Sequence, residues 1–424
     1  MNILIQGGRV IDPTQDWDEI TDLYVSNGEI VARDQAPEGF VVEEVIDASG
    51  QVVCPGLIDL CTHLREPGLT QKGTIASETA AAAAGGITTL IVTPNTQPLV
   101  ETAAVAELIQ DRAADIGLAR VLPMGALTRG LEGEQLAPLH GLASSGCIAF
   151  TNMRHSINSS QTLLRCLEYA ATHDLLVVFQ AQDNDLVASG CMHDDTTSTR
   201  LGLNGIPEAA ETIEVSRCLL LVEQTGVRAH FGQLSCERAV QMVAAARERG
   251  LSVSADVAIQ NLLLTDENVN GFNAAYHLQP PLRSQLDRAG LRQGLVTGTL
   301  SAICSDHQPH DPIAKQAPFA ATEPGMSGLE TLLPLSLSLV EQQLLALPQL
   351  IEALTAAPAR ILGIEAGTLN IGSQADICIF DPDAEWTVNV DSLRSAGKNT
   401  PFLGQTLKGR VNATLMDGRI VFRR

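Results

Sequence analysis

Aromatic side chains make up only 3% of this 424-residue chain, and lysine occurs just four times, at Lys72, Lys315, Lys398 and Lys408. The positive side of the charge balance is almost all arginine, and the formal net charge is −22 with no long acidic block. The field of such a chain repels nucleic acid and anionic membrane, which argues against both as partners. Cys-x-x-Cys pairs are missing as well. The nine cysteines stand singly at 54, 61, 147, 166, 191, 218, 236, 304 and 378, which removes zinc-ribbon and thioredoxin readings. An odd number of scattered thiols suits a reducing compartment. No stretch offers the roughly 18 uninterrupted apolar residues of a membrane span. The N-terminal MNILIQGGRVIDP lacks the basic and apolar regions of a secretory leader. A soluble cytoplasmic protein is expected.

What is present is apolar and aliphatic. Hydrophobic residues make up 45% of the chain and the mean hydropathy is +0.11, so a globular body is expected. Abundant Ala, Leu and Val with few aromatics suit helices packed on a buried sheet. Both ends look β-rich. NILIQGGRVID, DLYVSNGEIVA and EEVIDASG open the chain, and GTLNIGSQADICIFDP and GRVNATLMDGRIVF close it. Asn-Gly and Asp-Gly steps between β-branched residues mark hairpin turns. Residues 1–53 and 367–424 are therefore expected to form one composite β-sandwich domain.

The middle alternates short apolar runs with helical stretches. The runs are GLIDLCT (56–62), GITTLIVT (86–93), ARVLPMGAL (119–127), GCIAFT (146–151), DLLVVFQ (174–180), VRAHFGQL (227–234), LSVSADV (251–257) and TLSAICS (299–305). Eight strands, each followed by a helix or long loop, predict a (β/α)8 barrel over residues 54–366. An open doubly wound sheet is the competing architecture, but the first strand lacks a Gly-rich phosphate fingerprint. In a barrel, function collects at the C-terminal strand ends. Those ends carry Cys61, His63 and Arg65 after strand one and Asn95 after strand two. Asn152 and Met153 follow strand four, Gln180 strand five, Gln233 strand six, and Asp306, His307 and His310 strand eight.

PGLIDLCTHLREPG, TPNTQP, RLGLNGIPEAAE, NLLLTDE, LQPPLRS, SDHQPH and SGLETLLPL occur in order along the chain. Together they resemble bacterial dihydroorotase of the amidohydrolase superfamily, over nearly the whole length. The resemblance implies a metal-dependent ancestor that interconverts carbamoyl-aspartate and dihydroorotate. It also shows where this chain departs. The first histidine of the family's His-x-His pair is Cys61, while His63 is kept. The metal-binding aspartate after strand four falls at Asn152 or Met153, and no lysine stands near that strand end to be carboxylated. The histidines of strands five and six are Gln180 and Gln233. Asp306 matches the strand-eight ligand and general acid/base. Arg65 and Asn95 match the residues that hold the substrate carboxylate, and His310 matches a substrate-binding histidine. Gln279 replaces the partner asparagine, and Gln260 and Asn261 replace a paired histidine motif.

These exchanges bear on chemistry. A hydrolytic zinc site needs about three imidazole, thiolate or carboxylate ligands plus an open position. Asn and Gln offer neutral carbonyl oxygens that do not offset the ion's charge. No cofactor is expected, and Asp306 then has no metal-activated water to serve. The resemblance implies a non-catalytic, dihydroorotase-like subunit that assembles with the aspartate carbamoyltransferase catalytic chain into a hetero-oligomer. The alternative is a zinc-dependent cyclic amidohydrolase using a reduced site of Cys61, His63 and Asp306. A metal-free binder of a carboxylated pyrimidine, through Arg65 and Asn95, is a third possibility. His140, His155, His173 and His193 are expected at the surface or at helix caps.

Overall fold

In the computed structural model, which describes residues 1–424, each of the eight runs becomes a strand because it is apolar on both faces. All six residues of Leu57–Thr62 are buried, as are all six of Ile87–Val92. Such runs show no inside–outside alternation, as expected of parallel strands covered by helices. The other strands are Arg120–Ala126, Ala149–Thr151, Val177–Phe179, Ala229–Phe231, Val253–Ala258 and Ala302–Cys304. They pair in chain order, and a bridge from Thr62 to His307 joins the last edge to the first. The result is the (β/α)8 barrel that the runs predict. Its interior is packed, with Ile58, Leu60, Cys61, Ile91, Met124, Ala258 and Cys304 in one buried cluster beneath the mouth.

The helices follow their apolar spacing. Ser160–Thr172 begins where the Ser159 hydroxyl accepts from the Thr162 N–H, and it buries Leu163, Cys166, Leu167 and Ala170 against the barrel. That i, i+3, i+4, i+7 stripe is the amphipathic pattern of a helix covering a sheet.

The two ends meet as the sequence suggests. Hydrogen bonds link their strands into one mixed eight-stranded sheet around a small core of its own. Strand Ile377–Thr387 is the shared wall, because successive side chains point to opposite faces. Ile377 and Ile379 fill the small core, while Cys378 and Phe380 join the main one. Gly86 permits the close fit there: it sits at φ +80°, and a Cβ on it would lie 2.4 Å from the Cys378 Sγ.

Both Gly-containing turns form as read. Asn27 and Gly28 have φ of 52° and 90°, and Asp417 and Gly418 have 49° and 67°. Two consecutive left-handed residues match the twist of a two-residue hairpin. The two turns also touch, since a Cβ on Gly418 would meet the Gly28 Cα at 2.7 Å.

Candidate functional site

At the barrel mouth the chain leaves its strands in unusual backbone conformations. Arg65, Met153, Gln233 and Asp306 have φ of 65°, 54°, 50° and 47°. Left-handed non-glycine residues cost energy and gather where side chains must be aimed. All four lie just past the ends of strands one, four, six and eight. Residue type alone gives no sign of this.

Strands one and eight bring three potential donors together. The Sγ of Cys61, a ring nitrogen of His63 and a carboxylate oxygen of Asp306 lie within 4.8 Å of one another, all buried. The Cys61 thiol donates to Asp306 Oδ1 at 3.6 Å. Burial, with Asp306 beside it, pushes the thiol well above its ordinary value. Burial likewise raises Asp306 to about 6, although Arg154 and the Gln308 amide oppose the shift. His63 places Nδ1 against Thr93 Oγ1 at 3.0 Å and Asn95 Oδ1 at 3.1 Å, so Nε2 is the ring nitrogen left for the cavity. Burial first, then the charge of Arg65, holds its pKa well below the usual value.

The opposite arc is built from amides, two of which bond to each other while Gln180 Oε1 stays buried without a partner. Gln180 Nε2 donates to Gln233 Oε1 at 2.6 Å and also faces Cys61 Sγ at 3.4 Å. Asn152 is committed elsewhere. Its Oδ1 accepts from the Thr128 hydroxyl at 2.6 Å, and its Nδ2 donates to the carbonyls of Leu131 and His155. The side chain thus staples two loops and is not free to act as a ligand. Below this arc, His230 and Asp256 bond at 2.8 Å, and Asp256 also accepts from the Gln233 N–H at 2.7 Å.

A cavity of about 160 Å³ lies between the arcs, lined by His63, Asn95, Met153, Gln180, Gln279 and Asp306 together with Arg154, His155 and Gln308. The mouth thus gathers most of the positions singled out by sequence. Gln279 donates to Gln182 Oε1 at 2.8 Å, so two glutamines bridge its rim. Arg65 and His310 stand beside the cavity, with Arg65 Nε donating to the Pro309 carbonyl and its guanidinium 3.4 Å from His310 Nε2. Arg154 and Gln308 were not singled out, although Gln308 lies within the SDHQPH stretch. One expectation is corrected: His193 is buried, with Arg283 Nη1 donating to its Nδ1 at 3.1 Å. His307 is structural. Its Nδ1 accepts from the Gly328 N–H and its Nε2 donates to Glu78 at 2.8 Å, while Glu78 also accepts from Ser395 and Ala396. This buried cluster fastens the barrel to the C-terminal segment.

The donor set does not fit a two-metal hydrolytic centre. One arc offers a thiol, an imidazole and a carboxylate, and the other offers only neutral amides, of which Gln180 Oε1 is the one unbonded oxygen. No carboxylate or lysine stands at the strand-four position between them.

An eight-stranded parallel barrel with a mixed sheet from both termini, and a thiol, an imidazole and a carboxylate converging at the strand ends, is the architecture of the amidohydrolase superfamily. An L-hydantoinase from Arthrobacter aurescens has the same fold, with a TM-score of 0.88 at 24% identity over 99% of this chain and 96% of that one. A family model described as "Dihydro-orotase-like" matches residues 50–238, and one described as "Amidohydrolase family" matches residues 329–422. Dihydroorotase-like proteins of Pseudomonas aeruginosa and Pseudomonas putida are each 52% identical over 420 residues, 99% of this chain and 99% of each relative. A dihydroorotase of Pelobacter propionicus is 43% identical over 427 residues, the full length of both chains. The chain belongs to the dihydroorotase-like family.

Proposed function

We propose that this chain is a catalytically inactive dihydroorotase homologue that serves as a non-catalytic assembly subunit of aspartate carbamoyltransferase in pyrimidine synthesis. One observation carries the inactivity: Gln180 and Gln233 hydrogen-bond to each other where the family places two imidazole ligands. An amide N–H aimed at Cys61 Sγ repels a cation, and nothing in this arrangement lowers the pKa of a bound water. The partner follows from the motif resemblance, and the intact packing of the barrel suits a chain whose surface, not its mouth, is used. Co-expression with the aspartate carbamoyltransferase catalytic chain of the same organism should give one large co-eluting complex that lacks dihydroorotase turnover. Separate migration of the two chains at micromolar concentration removes the assembly role.

A second reading rests on the convergence of Cys61, His63 and Asp306 within 4.8 Å. These three would form a reduced mononuclear zinc site for cyclic amide hydrolysis. Stoichiometric zinc in chelator-treated and reloaded protein, with dihydroorotate ring opening abolished by Cys61→Ala, would establish it against the first reading.

A further inference from the structure

Arginine is the commonest cation of this acidic chain, and several arginines beside the composite sheet have carboxylate partners. Arg120 pairs with Asp376 and Asp417 at 2.7 Å each, and Arg423 pairs with Glu44 at 2.5 Å. Among those without one, three stand together. Arg394, Arg410 and Arg424 line one cleft of about 130 Å³ where the sheet meets the barrel, and none has a carboxylate oxygen within 4.0 Å. Arg410 Nε is buried with no hydrogen-bond partner at all. Its cross-strand neighbour Asp381 turns an oxygen to the N–H groups of Asp383 and Ala384 instead.

The cleft holds its cations in place. The guanidinium of Arg394 lies 5.1 Å from the centre of the Phe422 ring and that of Arg424 lies 5.9 Å from it, so one aromatic side chain supports two charges. Trp386 closes a side, with its indole N–H spent on the Gly409 carbonyl at 3.1 Å. The one acid of the lining is Glu330. Its two oxygens accept the N–H groups of Arg394 and Ser395, and burial raises it to about 7. It therefore offsets the arginines weakly near neutral pH. The three guanidinium groups also crowd one another, since burial and then Arg410 and Arg394 lower the pKa of Arg424.

The buried, unpartnered Nε of Arg410 is costly unless a ligand accepts its hydrogen bond, and Arg394 and Arg424 at the exposed rim add charge of the same sign. Arginine forks match phosphate oxygens in geometry and charge. The cleft is well below the roughly 300 Å³ of drug-sized pockets, which suits a single oxyanion group. We infer that this cleft, outside the barrel mouth, is a binding site for a small oxyanion of the phosphate or phosphate-monoester class. The site draws Arg394, Arg410 and Arg424 from the C-terminal strands and their connections, and Glu330 from the barrel side, so its ligand would bridge the two. It is independent of the assembly role proposed above.

Calorimetric titration of the full chain with inorganic phosphate, and separately with phenyl phosphate, tests it at low ionic strength. One saturable site per chain is expected, weakened about tenfold by Arg394→Gln and by Arg410→Gln. Arg394 is exposed, so its variant remains informative if Arg410→Gln unfolds. Arg360→Gln, which breaks a pair with Glu352 elsewhere, should leave the binding unchanged. Tighter binding of phenyl phosphate assigns the site to an organic monoester, and equal affinity assigns it to free phosphate. Absence of saturation, or equal losses in all three variants, overturns the inference. So does binding of a poly-glutamate peptide that phosphate does not displace.

Discussion

Around the barrel mouth, the arc built by strands one, two and eight differs from the arc built by strands four to six in how its polar atoms are satisfied. On the first, His63 and Asp306 face the cavity with chemistry to spare, and Cys61 supplies a thiol between them. On the second, Asn152 bonds to loops and Gln180 donates to Gln233, leaving Gln180 Oε1 as the one buried amide oxygen of the three without a partner. Neutral amides can enter a buried wall cheaply if they arrive with partners, whereas an isolated buried charge cannot. Amides on one arc are thus compatible with an intact barrel. On the first arc, Thr93 and Asn95 bond to His63, and Gln308 bonds to Asp306.

The contrast can be broken most forcefully by rebuilding the amide arc. Converting Cys61, Gln180 and Gln233 together to histidine should raise bound zinc from traces to about one ion per chain after dialysis. Elemental analysis of the dialysed protein decides it, and equal zinc in the unaltered chain would show that the amides are not what excludes metal. Next in size is Asp256→Ala. It strands the buried His230 ring and the Gln233 N–H, so a loss of about 3–5 kcal/mol is expected in urea unfolding. A shift below about 1 kcal/mol would mean that this pair does not support the arc.

A smaller effect separates the amide pair from its members. Gln180→Leu or Gln233→Leu alone leaves a buried partner unpaired and should cost about 1–3 kcal/mol. The double substitution should cost clearly less than the sum of the two, which a double-mutant cycle measures directly. Additive losses would contradict the pairing. The smallest expected effect lies in the loop wall. Burial, with Lys315 nearby, lowers His277 from the ordinary 6.5 to about 4. The unfolded chain then binds the extra proton first, so stability is lost as pH falls from about 6.5 toward 4. Between pH 7 and pH 5 the share due to His277 is about 1–2 kcal/mol. Replacing it with Asn should flatten the fall by that amount, and an unchanged pH profile would rule the contribution out.

Much of this was readable from residue order. Eight apolar runs mark eight strands because a parallel sheet covered on both sides needs uninterrupted apolar stretches. The Asn-Gly and Asp-Gly steps locate hairpins because only such pairs take two left-handed residues in succession without strain. The positions of Cys61, His63, Gln180, Gln233 and Asp306 at strand ends were also legible. Their partners were not. That Gln180 reaches Gln233 across 53 positions, or that Asn152 turns away to Thr128, depends on side-chain rotation. The buried Glu78–His307–Ser395 cluster escaped notice because it joins three distant segments by single residues. The arginine cleft did so for the same reason, since no local run of charge announces it.

Strand Val52–Pro55 has one edge on Asn2–Asp12 and the other on Ile377–Thr387. During synthesis the first edge finds its partner at once, while the second stays bare until residue 377 has been made. At about 5–20 residues per second, that interval is on the order of tens of seconds. Throughout it, Val53 and Cys54 present an apolar edge that any free strand can pair with. The barrel, whose strands pair in chain order, can close in the meantime. The small sheet must wait for the tail, and the touching turns at Gly28 and Gly418 mark the end of that wait.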